Sequence, residues 1–87
     1  MFRITQGTRE AETQVLLLEG RLVGPWAEEL IRYCGEFLDR GLRLVLDFRE
    51  ISFVDRAGMA AVRQLMSRQV ALAHCPWFLS DRLRRPD

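Results

Sequence analysis

The sequence predicts an α/β domain built on a small four-stranded mixed sheet, with helices packed over it. Three observations carry this. Short apolar stretches suited to strands alternate with longer stretches of helical spacing. Proline and glycine mark the ends of the first helical stretch. Only a short polar connector separates the first two strand-like stretches, whereas each later pair is separated by a helix. The first strand is therefore expected antiparallel to the second, and the rest parallel through βαβ units.

Residues 2–6, "FRITQ", alternate apolar and polar as a half-buried strand does. Residues 7–12 are polar and read as a turn. "QVLLLE", 14–19, is a compact apolar run that suits a more buried strand. Gly20 and Gly24 bracket the connector "GRLVG". Pro25 opens a helix, with Glu28 and Glu29 near its positive end. Trp26, Leu30, Tyr33, Cys34, Phe37 and Leu38 recur at three- and four-residue steps and trace a core-facing stripe, Trp26 included. Gly41 ends the helix as a C′ residue does.

"LRLVLDF", 42–48, reads as the central strand; Ile51, Phe53 and Val54 after it are still apolar, with polar Arg49, Glu50 and Ser52 between them. A second helix is expected from Asp55 to about Gln69, with Met59, Val62, Leu65 and Met66 as its apolar set. "VALAH", 70–74, is a short fourth strand. Pro76 starts a last short helix, "PWFLSDRLRR", whose Trp77–Phe78 pair is expected as a lid over the sheet edge, the alternative being an exposed patch and interface candidate. The final "RRPD" is expected to fray.

Composition narrows the function. The chain has 87 residues, which is one small domain, residues 1–87. Its net charge of +1 leaves no electrostatic footprint for nucleic acid. Its apolar runs are far shorter than a bilayer span, so membrane insertion is not expected. Arg3, Thr5 and Gln6 interrupt any signal-peptide core, and a cytoplasmic location is expected. Cys34 and Cys75 lie far apart and off metal-ligand spacing; Cys34 is expected as a buried small hydrophobe. No metal or cofactor is expected.

Enzyme signatures are scarce. His74 is the single histidine, and no HExxH, GxSxG, Walker A or GxGxxG is present. Asp47 and Asp55 could serve as paired carboxylates at one edge of the sheet. The plainer reading makes Asp55 the N-cap of the second helix and Asp47 a strand-end residue. "DRLRR", 81–85, reads as a solvated basic helix end.

The ordered combination of "LDF", "ISFVD" and "AGMAAV" resembles the STAS domain, the module of sulfate transporters and anti-sigma-factor antagonists. "LLLEGRLVGPWAEELIRYC" resembles that family's strand, "GxL" turn and first helix. "LRLVLDFREISFVDRAGMAAVRQL" resembles its central strand, loop and second helix, where the pattern runs "vvLDlsxvxfiDSSGlaaLxxl". "VALAHCPWFLSDRL" resembles its next strand and short helix. The likeness spans nearly the whole chain.

The resemblance implies a non-catalytic protein-binding domain. In the antagonist branch the residue after the motif aspartate is a serine or threonine. A partner that is both kinase and anti-sigma factor phosphorylates it, and the added charge ends the binding. Here Asp55 matches the motif aspartate and Gly58 the motif glycine, while Arg56 and Ala57 occupy the hydroxyl positions. Neither can accept phosphate, so no phospho-switch is expected at that site. The expected partner surface is the start of the second helix with the Gly20–Pro25 turn: Arg21, Asp55, Arg56, Gly58 and Met59. Arg56 is either a solvated side chain or a contact that grips a carboxylate or phosphate. Met59 is either core or soft contact surface. The resemblance leaves three partners open: an anti-sigma factor or kinase-like ATPase, the ATPase of a lipid-transport ABC complex to which the chain would be an accessory subunit, or a nucleotide.

Overall fold

The computed structural model describes residues 1–85; residues 86 and 87, part of the tail expected to fray, lie outside them. The elements are β1 (Phe2–Glu10), β2 (Thr13–Leu22), α1 (Pro25–Asp39), β3 (Arg43–Val54), α2 (Arg56–Ser67), β4 (Ala71–Ala73) and α3 (Trp77–Arg84). The sheet order is β1-β2-β3-β4, with β1 antiparallel to β2 and the other pairs parallel, as expected from the connector lengths.

The strand pleat builds the core. Leu16 and Leu18 of β2 and Leu44, Leu46 and Phe48 of β3 point to one face and are buried. They pack with Leu30, Cys34 and Phe37 of α1, Met59, Val62 and Leu65 of α2, and Leu79 of α3. All three helices therefore share one layer. The alternate strand residues, Leu17, Glu19, Val45 and Asp47 among them, are exposed or half-buried on the other face. That open face lets polar residues such as Arg49, Glu50 and Ser52 sit inside one long strand.

Several boundaries differ from expectation. β1 and β2 form one long hairpin closed by Ala11–Glu12, so most of the polar stretch 7–12 is strand. A bulge between Gln6 and Arg9 interrupts the pairing, and buried Gln14 fills it. The Gln14 amide donates to the Gly7 carbonyl at 3.2 Å and the Val15 carbonyl at 2.8 Å. Part of the expected "GRLVG" connector is also strand, because β2 runs on to Leu22.

α2 ends at Ser67, two residues before the expected end. Gln69 is its C′ residue at φ 72°, the Gln69 N–H donates to Met66 O, and the Val70 N–H donates to Leu65 O at 3.1 Å. α1 ends the same way on Gly41 at φ 82°, with Leu42 N–H donating to Phe37 O.

Some side chains also depart from expectation. Trp26 is 41% exposed; it hangs over Phe2 at 6.3 Å while Ala27 takes the buried place. Met66 is exposed, and so is Trp77, which stacks edge-on against half-buried Phe78 at 6.3 Å instead of covering the sheet edge. Cys34 is buried as expected, and burial pushes its thiol up to about 12.

Candidate functional site

Asp55 follows the last residue of β3 and starts α2. One carboxylate oxygen, Oδ1, accepts from the Gly58 N–H at 2.8 Å, the N-cap bond expected of it. The other, Oδ2, accepts from the Gly24 N–H at 3.0 Å. Gly24 is the N-cap of α1, a helix without a side-chain cap of its own. The Asp55 N–H donates to Leu22 O at 3.2 Å. One residue thus caps α2, fixes the loop that launches α1 and closes the end of the β2–β3 pair. The Gly58 and Gly24 N–H groups, the first the larger effect, and the nearby Arg82 charge hold the Asp55 carboxyl below the usual carboxylate range.

Gly58 is buried beneath this arrangement. A Cβ there would run into the Leu22 carbonyl oxygen and lie 2.8 Å from Val54 Cγ1. The first turn of α2 can lie against the end of β2 only because that side chain is missing.

Arg56 and Ala57 are exposed on the same first turn. Arg56 makes no hydrogen bond or ion pair with any described residue. Arg21 lies beside the site, its guanidinium 5.1 Å over the ring of Phe53, which is 43% exposed. Strand register explains the proximity: Arg21 is opposite Phe53 and Leu22 opposite Val54. Arg21, Asp55, Arg56 and Gly58 therefore gather at the C-terminal ends of β2 and β3, where open α/β sheets present their binding surfaces. Met59 belongs to the core, at 2% exposure, with only an edge reaching the surface.

Two functional candidates escaped the sequence reading. Arg82, expected as part of a solvated helix end, donates to the Val54 carbonyl at 2.5 Å. Arg63 donates to the carbonyls of Arg82 at 2.8 Å and Arg85 at 3.2 Å, so it secures the end of α3. Arg56, Ala60 and Arg63 stand at helical steps along one stripe of α2, a spacing visible in the sequence. With Met59 and Arg82 they line a cleft of about 560 Å³ between α2 and α3.

Asp47 and His74 do not join the site. Arg49 links them, its side chain meeting His74 Nε2 at 2.8 Å and its N–H donating to Asp47 Oδ1 at 2.9 Å. Asp55 is eight residues further along the chain, on the order of 25 Å in extended strand. The three do not converge on a pocket. Among the described residues no group of three or more His, Cys, Asp or Glu is placed to hold a metal ion. Among them, too, no helix is long and apolar enough to cross a membrane.

No family model and no curated protein matches the sequence. Solved structures do. The anti-sigma factor antagonist SpoIIAA in its unphosphorylated form superposes with a TM-score of 0.63 at 17% identity, over 97% of this chain and 100% of that one. The antisigma-factor antagonist STAS domain from Rhodobacter sphaeroides gives 0.62 at 20% identity, over 84% and 86%. The chain has the STAS fold. Mglu also matches, at 0.62 and 24% identity, but this chain spans only 19% of it. In the STAS fold of this chain, the Asp55 brace and the Arg56 turn lie together at the strand ends.

Proposed function

We propose that this chain is a non-catalytic regulatory module of the anti-sigma-factor-antagonist type, acting in the cytoplasm of a bacterium by binding a protein partner. Its contact surface is the start of α2 with Arg21 and Phe53 beside it. The observation that carries this reading is the rigid, exposed first turn of α2. Asp55 fixes it by two backbone hydrogen bonds, and it presents Arg56 with its donors unused. A fixed turn suits recognition because little conformational freedom is lost on binding.

Arg56 and Ala57 hold no hydroxyl. Binding is therefore constitutive at this position, or governed by the partner's state rather than by phosphate on this turn. SpoIIAA, whose fold this chain shares, is described in an unphosphorylated form; this chain has no group at 56 or 57 that could leave that condition.

The test is an affinity pull-down of tagged chain from lysate of its own organism, with Arg56→Glu run in parallel and captured proteins identified by mass spectrometry. An anti-sigma factor or kinase-like ATPase captured by wild type and lost from the variant supports the proposal. A transporter ATPase instead makes the chain an accessory subunit of a transport complex. Saturable stabilisation by nucleotides alone, with no protein captured, makes it a ligand-binding domain.

A further inference from the structure

We propose that the cleft between α2 and α3 receives an acidic segment of the partner protein, and that Arg56 grips its carboxylates. The proposal rests on the protein-binding reading above and names the chemistry of that partner.

Charge is distributed unevenly over the helical layer. α1 carries Glu28, Glu29, Glu36 and Asp39 against Arg32 alone. α2 and α3 together carry Arg56, Arg63, Arg82 and Arg84 against Asp81 alone. Asp81 is paired with Arg85 at 3.0 Å, and the Asp55 carboxylate, held by two backbone N–H groups, offsets only one of these charges from beside Arg82. Among the described residues, the cleft of about 560 Å³ is thus lined by three arginines, Arg56, Arg63 and Arg82, around a small apolar floor of Met59 and Ala60.

The arginines divide the work. Arg82 and Arg63 spend donors on the carbonyls of Val54, Arg82 and Arg85, so they hold the walls. Arg56 keeps its guanidinium fork for something outside the described fold. It does so in the first turn of a helix, where a cation meets the positive end of the macrodipole. A carboxylate delivered by a partner relieves that repulsion and accepts paired N–H bonds. An acidic segment with an aliphatic residue between its carboxylates matches both the charge and the Met59–Ala60 floor. Among the described residues no aromatic side chain lines the cleft to stack a base, which favours a polypeptide over a nucleotide.

The experiment titrates the full ¹⁵N-labelled chain with an octaglutamate peptide and follows backbone amide shifts. Expected are saturable shifts over 56–63 and 82–85, with α1 unmoved. Affinity should fall as sodium chloride rises from about 20 to about 200 mM. Arg56→Glu should weaken it by about tenfold or more. Arg56→Gln provides the same test without a new charge. Arg43→Glu, an exposed site at the far end of β3 from the cleft, should change it by less than about twofold. Four results overturn the proposal: shifts spread evenly to Arg3, Arg9 and Arg43; equal losses in the position-56 and position-43 variants; saturation of the cleft by inorganic phosphate at lower concentration than the peptide; or the same amides shifting with protein concentration alone, which would make the acidic α1 of a second copy the occupant. No partner is present in the titration. Its failure removes the acidic occupant and leaves the pull-down to judge protein binding.

Discussion

Asp55 holds Gly24, 31 residues earlier in the chain, at 3.0 Å through the carboxylate oxygen that its own helix does not use. The bond joins the start of α1 to the start of α2. Both helices leave the sheet at neighbouring strand ends, so one side chain ties down the first turn of α2 and the loop that enters α1.

Replacing Asp55 by Ala should therefore disturb two helix starts at once. Loss of an N-cap alone lowers Tm by roughly 5 °C in a domain of this size, and the Gly24 bond adds to it. Asp55→Asn keeps one acceptor oxygen and should fall between. The pH dependence follows from the depressed carboxyl. Its folded pKa lies below its unfolded one, so the charged form's contribution is complete above the ordinary carboxylate value of about 4 and lost as pH falls through the folded value. The Tm gap between wild type and Asp55→Asn, followed by circular dichroism, should be constant near neutrality and close below about pH 4. A gap that does not change with pH would show that charge plays no part in the brace.

Gly58→Ala should destabilise even though alanine is the better helix former. The new methyl meets the Leu22 carbonyl oxygen and Val54 Cγ1, both belonging to packed strand ends. Overpacking of this kind costs about 1–3 kcal/mol, more than the roughly 1 kcal/mol of helix propensity gained. Urea unfolding with an unchanged m-value should read the difference as a lower midpoint. A midpoint at or above wild type would mean that α2 can lift from β2 without loss.

The order of elements was legible because apolar spacing and connector length report it directly. So was the role of Asp55 as a cap, since an aspartate before a helical stripe has few other uses. Strand lengths were hidden. β1 is an edge strand and one sheet face is open, so Thr8, Arg9 and Glu10, and Arg49, Glu50 and Ser52, carry no penalty inside strands. Trp26 was misplaced because a stripe drawn on a helix does not say where the sheet beneath it ends; at 41% exposure it overhangs the β1 edge. Arg63 and Arg82 were hidden for another reason. Their partners are main-chain carbonyls of Val54, Arg82 and Arg85, and no side-chain pattern advertises a carbonyl. The absence of a hydroxyl at 56 and 57 was plain in the sequence, whereas the unused fork of Arg56 required the neighbouring side chains to be placed.

The two matching helix ends offer a paired prediction. Gly41 and Gln69 occupy the same C′ position in left-handed backbone, at φ 82° and φ 72°. Nothing lies within 4 Å of a Cβ built on Gly41, so its substitution tests conformation alone. Gly41→Ala should cost about 1 kcal/mol, and Gln69→Gly should gain a similar amount or somewhat less. Opposite signs in thermal unfolding are the expected result. Equal signs would mean that the Gln69 side chain stabilises its turn by contacts that outweigh the backbone cost.

Arg56 gives the prediction that separates function from stability. Its charge faces the positive end of α2 and finds no partner among the described residues. Arg56→Ala should therefore stabilise the free domain by about 0.5 kcal/mol, a rise in Tm of about 3 °C. The gain should shrink in high salt, where the end charge is screened. The same substitution should abolish capture of the partner. Arg56→Lys keeps the charge but loses the planar fork, so it should leave Tm near wild type and still weaken capture. A residue kept for packing would show the reverse, with both variants less stable and capture falling only as far as folding does. Thermal unfolding at low and high salt, set beside pull-down yield for the three proteins, distinguishes the two patterns.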